Sequence, residues 1–344
     1  MALNCEKTSA SCVDAKESPV PQKIAFFCLL IDMVLCGTNL FRKSSCILIS
    51  FSSAATVDIT WIFIIGLKIL LMEITVGHTP DSDDAFMFYA MLTGKVTSPH
   101  FKVNHVVEDI ETLNKRALNH ELDVTAVSAH ACAYIRDYTI LRSGGSFGKG
   151  YGPIVISKQN LSPDQLRRSK IAIPGKMTSA FLLLQLMIGK FDYVEMKFSD
   201  IPDAVSRGDV DAGLVIHETQ ITYEQNKLVK IMDAGEWWRN HTGGLPVPLG
   251  VNVMSNHFGS DTIKQFDAFF KESIVYGMAR IGDALDYAMQ YSRGQPRELI
   301  ERFVRMYVND ITIEMGILGE HATRSLFQLG IEKGLVPEFD LRFA

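Results

Sequence analysis

From Met72 to the C-terminus, short apolar runs alternate with longer amphipathic or apolar stretches, and this alternation constrains the fold more than any other feature. Strand-like and helix-like signals in strict turn argue an α/β architecture. Glu73–Gly77 reads as a buried strand. The next residues, Thr79-Pro80-Asp81-Ser82-Asp83-Asp84, are rich in helix-capping types and lead into an apolar helix at Ala85–Leu92. Phe101–Val107 alternates as a strand, and Asp109–Leu118 carries Ile110, Leu113 and Ala117 at helical spacing. Leu122–Val127 reads as a short strand running into a small-residue helix at Ser128–Ile135.

The alternation is interrupted twice. Ser143–Gly152 contains five glycines and leads into the strand Pro153–Ser157. A dinucleotide fingerprint needs its glycines between a strand and a helix, so NAD binding is disfavoured; a flexible connection between lobes is the expectation. A second α/β run follows: strand Lys170–Pro174, helix Ala180–Ile188, strand Tyr193–Phe198, a helix ending near Gly208, and strand Asp211–Ile216 terminating at His217. After the second glycine- and proline-rich crossing, Gly243–Gly250, a strand is expected at Val251–Ser255. Long helices are expected over roughly Asp261–Tyr291 and Pro296–Val308. The expected organisation is two lobes, one of about residues 72–150 plus 251–344 and the other of about residues 151–250, with a ligand cleft between them.

Charge and cysteine usage mark a seam just before this run. The chain has 344 residues, with 34 Lys+Arg against 39 Asp+Glu, so no basic footprint for nucleic acid exists. Five of the six cysteines (Cys5, Cys12, Cys28, Cys36 and Cys46) precede Met72, leaving only Cys132 after it. The apolar runs Ile24–Cys36 and Ile59–Leu67 are each shorter than the roughly 18–20 apolar residues of a membrane span. Residues 1–71 therefore read as an extension, from a start assigned too far upstream or as a poorly structured or anchor segment. Membrane association follows only if residues 24–71 insert. No paired Cys/His spacing calls for a metal.

Three strand-to-helix turns present hydroxyls or carboxylates at candidate helix N-termini: Thr79–Asp84, Thr125–Ser128 and Thr178-Ser179. Each by itself is explained by ordinary capping. Their recurrence at one topological position suits an anionic substrate group, because backbone N–H groups and the positive dipole end converge there. Asp83 and Asp84 oppose an anion at the first turn unless they cap the helix or bind hydroxyls. His217 ends the apolar strand Ala212–Ile216 and can act as a general base near neutral pH, with Glu218 as the residue that could orient its ring. The run His217-Glu218-Thr219-Gln220-Ile221 lacks the second His of a zinc-protease helix. His130 and Cys132 lie on different faces of their expected helix and make a poor ligand pair. Trp237-Trp238 reads as a core or lobe-edge anchor.

The stretches GHTPDSDDAFMFYA, VEDIETLNKRAL, LRSGGSFGKGYGP, IPGKMTSAFLLL, DAGLVIHETQITY and EWWRNHTGGLPVPLG together span nearly all of Met72–Phe343. In these the chain resembles the 1,4-dihydroxy-6-naphthoate synthases of the futalosine route to menaquinone, relatives of the type 2 periplasmic-binding-protein fold. The resemblance implies a cytoplasmic lyase, without cofactor or metal, that splits cyclic dehypoxanthine futalosine and recognises a ring-bearing carboxylate. It implies His217 as proton acceptor and Thr178, Ser179 and Thr125-Ala126-Val127-Ser128 as substrate contacts, with Thr79, Asp83 and Asp84 at the first turn. The pattern departs at that turn, where Asp83 replaces an amide and Ala85 a hydroxyl, and at Ala126, where a Lys is common. A solute-binding protein of the same fold and the sister enzyme chorismate dehydratase remain as alternatives.

Overall fold

The computed structural model describes residues 71–344, so the expectations placed on residues 1–70 lie outside the described residues. The first sheet opens with β1 (Met72–His78), connected through α1 (Ser82–Leu92) to β2 (Phe101–Val107), and through α2 (Ile110–Leu118) to β3 (Val124–Ser128). β4 (Tyr138–Ile140) and β5 (Ser146–Gly148) follow, and the chain then crosses to a second sheet. There β6 (Ile154–Ser157), α3 (Pro163–Arg167), β7 (Lys170–Ile173), α4 (Ser179–Ile188), β8 (Asp192–Glu195), α5 (Ile201–Arg207), β9 (Ala212–Val215), α6 (Thr219–Thr222) and β10 (Val229–Asp233) succeed one another. α7 (Ala234–Thr242) returns the chain to β11 (Val247–Ser255) of the first sheet. Five helices close the chain: α8 (Ser260–Ala279), α9 (Ile281–Ala288), α10 (Arg297–Tyr307), α11 (Asp310–Ile313) and α12 (Gly316–Glu332).

The first sheet has the order β2-β1-β3-β11-β4, with β5 also on β11; the second has the order β10-β6-β9-β7-β8. In each, parallel strands joined by helices sit beside strands that run antiparallel: β11 against β3, and β6 against β9. The result is a two-lobed α/β molecule. The central helix-covered strands β3, β7 and β9 are buried on both faces, as such sheets require. In β7, Ile171 and Ile173 pack into one cluster with Leu184 of α4, while Ala172 packs into the opposite one with Ile201 and Val205 of α5.

Several expected boundaries shift. The single helix expected over Asp261–Tyr291 breaks at Arg280 (φ −126°, ψ 49°), between α8 and α9. Ser128–Ile135 narrows to a 3₁₀ turn at Ala129–Ala133, and the strand expected at Tyr193–Phe198 occupies Asp192–Glu195. β11 begins at Val247 rather than Val251, because Val247–Gly250 pair with β5. The glycine-rich crossing is closely packed rather than open. A Cβ on Gly144 would strike the Phe270 ring, and one on Gly235 would strike the backbone of Tyr151 and Gly152. The glycines are there for backbone approach. Trp238 is the anchor expected of it, fully buried with Nε1 donating to the Pro246 carbonyl at 3.1 Å.

Candidate active site

Strand C-termini and helix N-termini from both sheets meet at a cavity that, together with the open solvent at its mouth, measures about 680 Å³. Of the residues expected there from sequence, Thr79, Asp83, Asp84, Ala126, Val127, Ser128, Thr178, Ser179 and His217 all line it. Thr125 does not line it. Its side chain is fully buried on the α2 side of β3, and its hydroxyl donates to the Ala126 carbonyl at 3.0 Å.

At the first turn, the Asp84 carboxylate folds back on the strand end, accepting from Thr79 N (2.9 Å) and Thr79 Oγ1 (2.7 Å). It therefore closes the turn, one of the two roles open to it. Burial raises its pKa to about 6, with the Thr79 hydrogen bonds acting against the rise. Asp83 accepts from Ser146 Oγ at 3.3 Å and lies beside Asp84, Asp81 and Glu218. Burial first, and those three carboxylates second, hold its pKa well above the usual carboxylate range.

The turns after β3 and β7 are held by their own side chains. Asn114 of α2 accepts from Ser128 N (2.8 Å) and donates to Ser128 Oγ (3.1 Å). Thr178 caps α4, accepting from Phe181 N at 3.2 Å and donating to the Gly175 carbonyl at 2.7 Å. Ser179 Oγ donates to the Leu249 carbonyl (2.6 Å) and accepts from His130 N (3.2 Å). These hydroxyls are thus engaged by the fold. What the α4 terminus offers to a ligand is its first-turn N–H groups, which have no partner within the helix.

His217 follows β9 with φ 57°, a left-handed conformation uncommon for a residue with a Cβ. Two contacts with Gln220 hold it there. The Gln220 backbone N–H donates to the His217 carbonyl at 3.1 Å. With the amide oriented to suit its neighbours, the Gln220 side-chain oxygen accepts from His217 N at 3.1 Å, while its nitrogen donates to Tyr307 Oη at 2.9 Å. The imidazole Nδ1 lies 3.1 Å from Asp81 Oδ2, and Nε2 has no hydrogen-bond partner among the described residues. His217 and Arg293 hold the Asp81 carboxyl below its usual pKa, against the opposing effect of burial. An ionised carboxylate only accepts, so the proton sits on Nδ1 and the Nε2 lone pair is free.

The ring is therefore oriented by Asp81, not by Glu218. Glu218 turns away, accepting from Ser82 Oγ at 2.6 Å with Arg293 Nη1 at 3.5 Å. Asp81 had a signal only as one of five acidic or hydroxyl residues in a capping run, and Arg293 had none. Asn252 on β11 was also missed. Its Nδ2 donates to the Gly144 carbonyl (2.9 Å), which leaves a buried Oδ1 on a cavity-lining residue without a partner. Cys132 is buried, and burial pushes its thiol up to about 12, so it is no nucleophile near neutral pH. Among the described residues no three His, Cys, Asp or Glu side chains group to hold a metal, and no helix is long and apolar enough to cross a membrane.

A family model described as menaquinone biosynthesis matches residues 74–332. A curated relative from Thermus thermophilus, named 1,4-dihydroxy-6-naphthoate synthase, is 38% identical over 260 residues, covering 75% of this chain and 94% of the relative. One of the same name from Streptomyces coelicolor is 32% identical, covering 76% and 94%. Among solved structures, a protein from Archaeoglobus fulgidus shares 45% identity with a TM-score of 0.73, covering 77% of this chain and 98% of that one. The alkanesulfonate-binding protein of Xanthomonas axonopodis pv. citri, bound to MOPS, superposes at TM-score 0.59 with 14% identity, covering 77% and 94%. At that identity the likeness is one of fold, that of the periplasmic binding proteins.

Proposed function

The chain belongs to the menaquinone-biosynthesis family, and we propose that within it the chain is a 1,4-dihydroxy-6-naphthoate synthase, a carbon–carbon lyase with His217 as its base. The substrate is cyclic dehypoxanthine futalosine. The observation that carries the assignment of the base is the His217 ring, with Nδ1 held by Asp81 and Nε2 unpaired at the cavity. Nε2 takes a proton from the bound substrate as the carbon–carbon bond breaks, and the Asp81 carboxylate stabilises the imidazolium that results.

The cavity is polar in a directed way. The α4 N-terminus offers N–H donors to the substrate carboxylate, and Ser128, whose Oγ accepts from Asn114, offers its hydroxyl hydrogen. Asp83, whose pKa is raised by burial, and Asn252 Oδ1, without a partner among the described residues, suit hydroxyl groups at the other wall. Apolar walls from Ile110, Val251 and Phe303 take the ring system and exclude water. A cytoplasmic setting, a small-molecule partner and the absence of a cofactor belong to the same proposal.

Purified protein incubated with cyclic dehypoxanthine futalosine is expected to release the naphthoate, detected by mass spectrometry. Loss of the base in His217→Ala should lower kcat by roughly 10²–10⁴-fold with KM changed far less. No product at high enzyme concentration overturns the synthase assignment. Near-normal turnover in His217→Ala removes His217 from the mechanism while leaving the assignment standing.

A further inference from the structure

Arg293 lies far along the chain from every segment that the sequence singled out, yet its side chain reaches both lobes. It occupies the Ser292–Gly294 turn beyond α9 with φ 51°, a conformation unfavourable for a residue with a Cβ. Its Nη2 donates to the Pro80 carbonyl (2.9 Å) and to Asp81 Oδ1 (2.8 Å), both on the turn after β1. Its Nη1 is 3.5 Å from Glu218 Oε2, one residue beyond His217. The guanidinium carbon stands 4.9 Å from the centroid of the Phe198 ring, just beyond β8, and the same ring meets His217 edge-on at 4.8 Å. Ser82 Oγ, at the start of α1, supplies a second tie to Glu218 across the cleft.

Asp81 and His217 come from different sheets. Their 3.1 Å contact is itself a contact across the cleft, and it exists only while the two strand ends are held together. We infer that Arg293 is a positioning residue that couples closure of the cleft to alignment of the base, bridging Pro80 and Asp81 to Glu218 so that Asp81 can fix the His217 ring. This rests on the assignment of His217 as the base.

The chemistry suits arginine. A planar guanidinium can bond two acceptors on one side, a carboxylate on another and still stack on an aromatic face, which an ammonium cannot do. Its charge is needed too. The groups facing Asp81 are His217, Arg293, His78, Asp83, Asp84 and Glu218, and the acidic ones oppose a further negative charge. Without the guanidinium, a buried Asp81 takes up a proton more readily, and a neutral carboxyl no longer dictates which imidazole nitrogen carries the hydrogen. If Asp81 stays charged instead, the imidazolium gains an attraction and loses a repulsion, so His217 holds its proton to higher pH. Both outcomes move the acid limb of the pH–rate profile in one direction, upward.

The test uses the full chain with Arg293→Gln and Arg293→Lys, measuring kcat and KM across pH with cyclic dehypoxanthine futalosine, and small-angle scattering without ligand. Arg293→Gln should lower kcat roughly 10–100-fold, the scale of a misplaced catalytic group. It should also shift the acid limb upward and give a larger radius of gyration than wild type. Arg293→Lys keeps the charge and loses the fork, so kcat should fall while the limb stays in place. It carries the test if the Gln variant does not fold. A pH profile of Arg293→Gln that superimposes on wild type overturns the coupling to the base, and superimposable scattering overturns the closure. Absence of naphthoate from wild type fells the synthase assignment and the base with it, while scattering still decides the closure independently.

Discussion

At the residue scale, the site sets four carboxyl groups, Asp81, Asp83, Asp84 and Glu218, against the single guanidinium of Arg293, and Asp83 bears the consequence. Its pKa is raised by burial, so the folded state holds this proton to higher pH than the unfolded chain does. Stability contributed at this position is present below the unfolded pKa, near 4, and is lost as pH rises toward the folded value. Asp83→Asn removes the ionisable group and places there the amide that the resembled family carries. It should raise the melting temperature at pH 7–8, with the gain vanishing as pH falls toward 4. Thermal melts across pH check this; a gain equal at pH 4 and pH 8 would mean that Asp83 is an ordinary acid. His217 was legible from sequence because an apolar strand ending in His is a local pattern. Its partner was not. Glu218 adjoins it in the chain, but the left-handed turn at His217 sends Glu218 toward Ser82 and Arg293 and leaves Nδ1 to Asp81.

At the element scale, most strands and helices were readable because their periods and caps are local. The Thr178 cap and the apolar β7 follow from a few neighbouring residues, whereas α1 begins at Ser82, three residues before the expected Ala85, with no side-chain cap from Asp81. The elements that were missed are the strands β4, β5 and β10, of three to five residues, which exist because a neighbouring strand supplies their hydrogen bonds, and the helices α3, α6, α7, α11 and α12. The crossings were also misjudged, since glycines that permit close packing look in sequence like glycines that permit motion. Gly235→Ala tests the difference. Its Cβ would meet the Tyr151 backbone, so the variant should lose about 1–3 kcal/mol, whereas Gly282→Ala, exposed within α9 with open space around it, should gain up to about 1 kcal/mol. Chemical denaturation of both checks it; equal effects would return the crossing to the status of a loose linker.

At the scale of the whole molecule, residues 68–344 form one unit that carries both sheets and the cavity. β1 takes up its register from its first residue, with Met72 N donating to the His100 carbonyl at 2.8 Å. A chain beginning at Met72 is therefore expected to match the full chain in melting midpoint and in naphthoate formation; loss of either would give the upstream residues a part in the working unit. The sequence by itself determined the α/β class, the strand-to-helix turns that meet at the cleft, and His217, because periodicity and capping are short-range and survive in one dimension. Only the tertiary structure decided how that site is wired. Asp81, Arg293 and Asn252 acquire their roles from lobes that meet across long sequence separations. Nothing local in Thr79–Asp84 tells the carboxylate that holds the His217 ring from the one that closes a turn or the one whose pKa burial raises most. Burial and the nearest charge separate them, and both are properties of the folded chain.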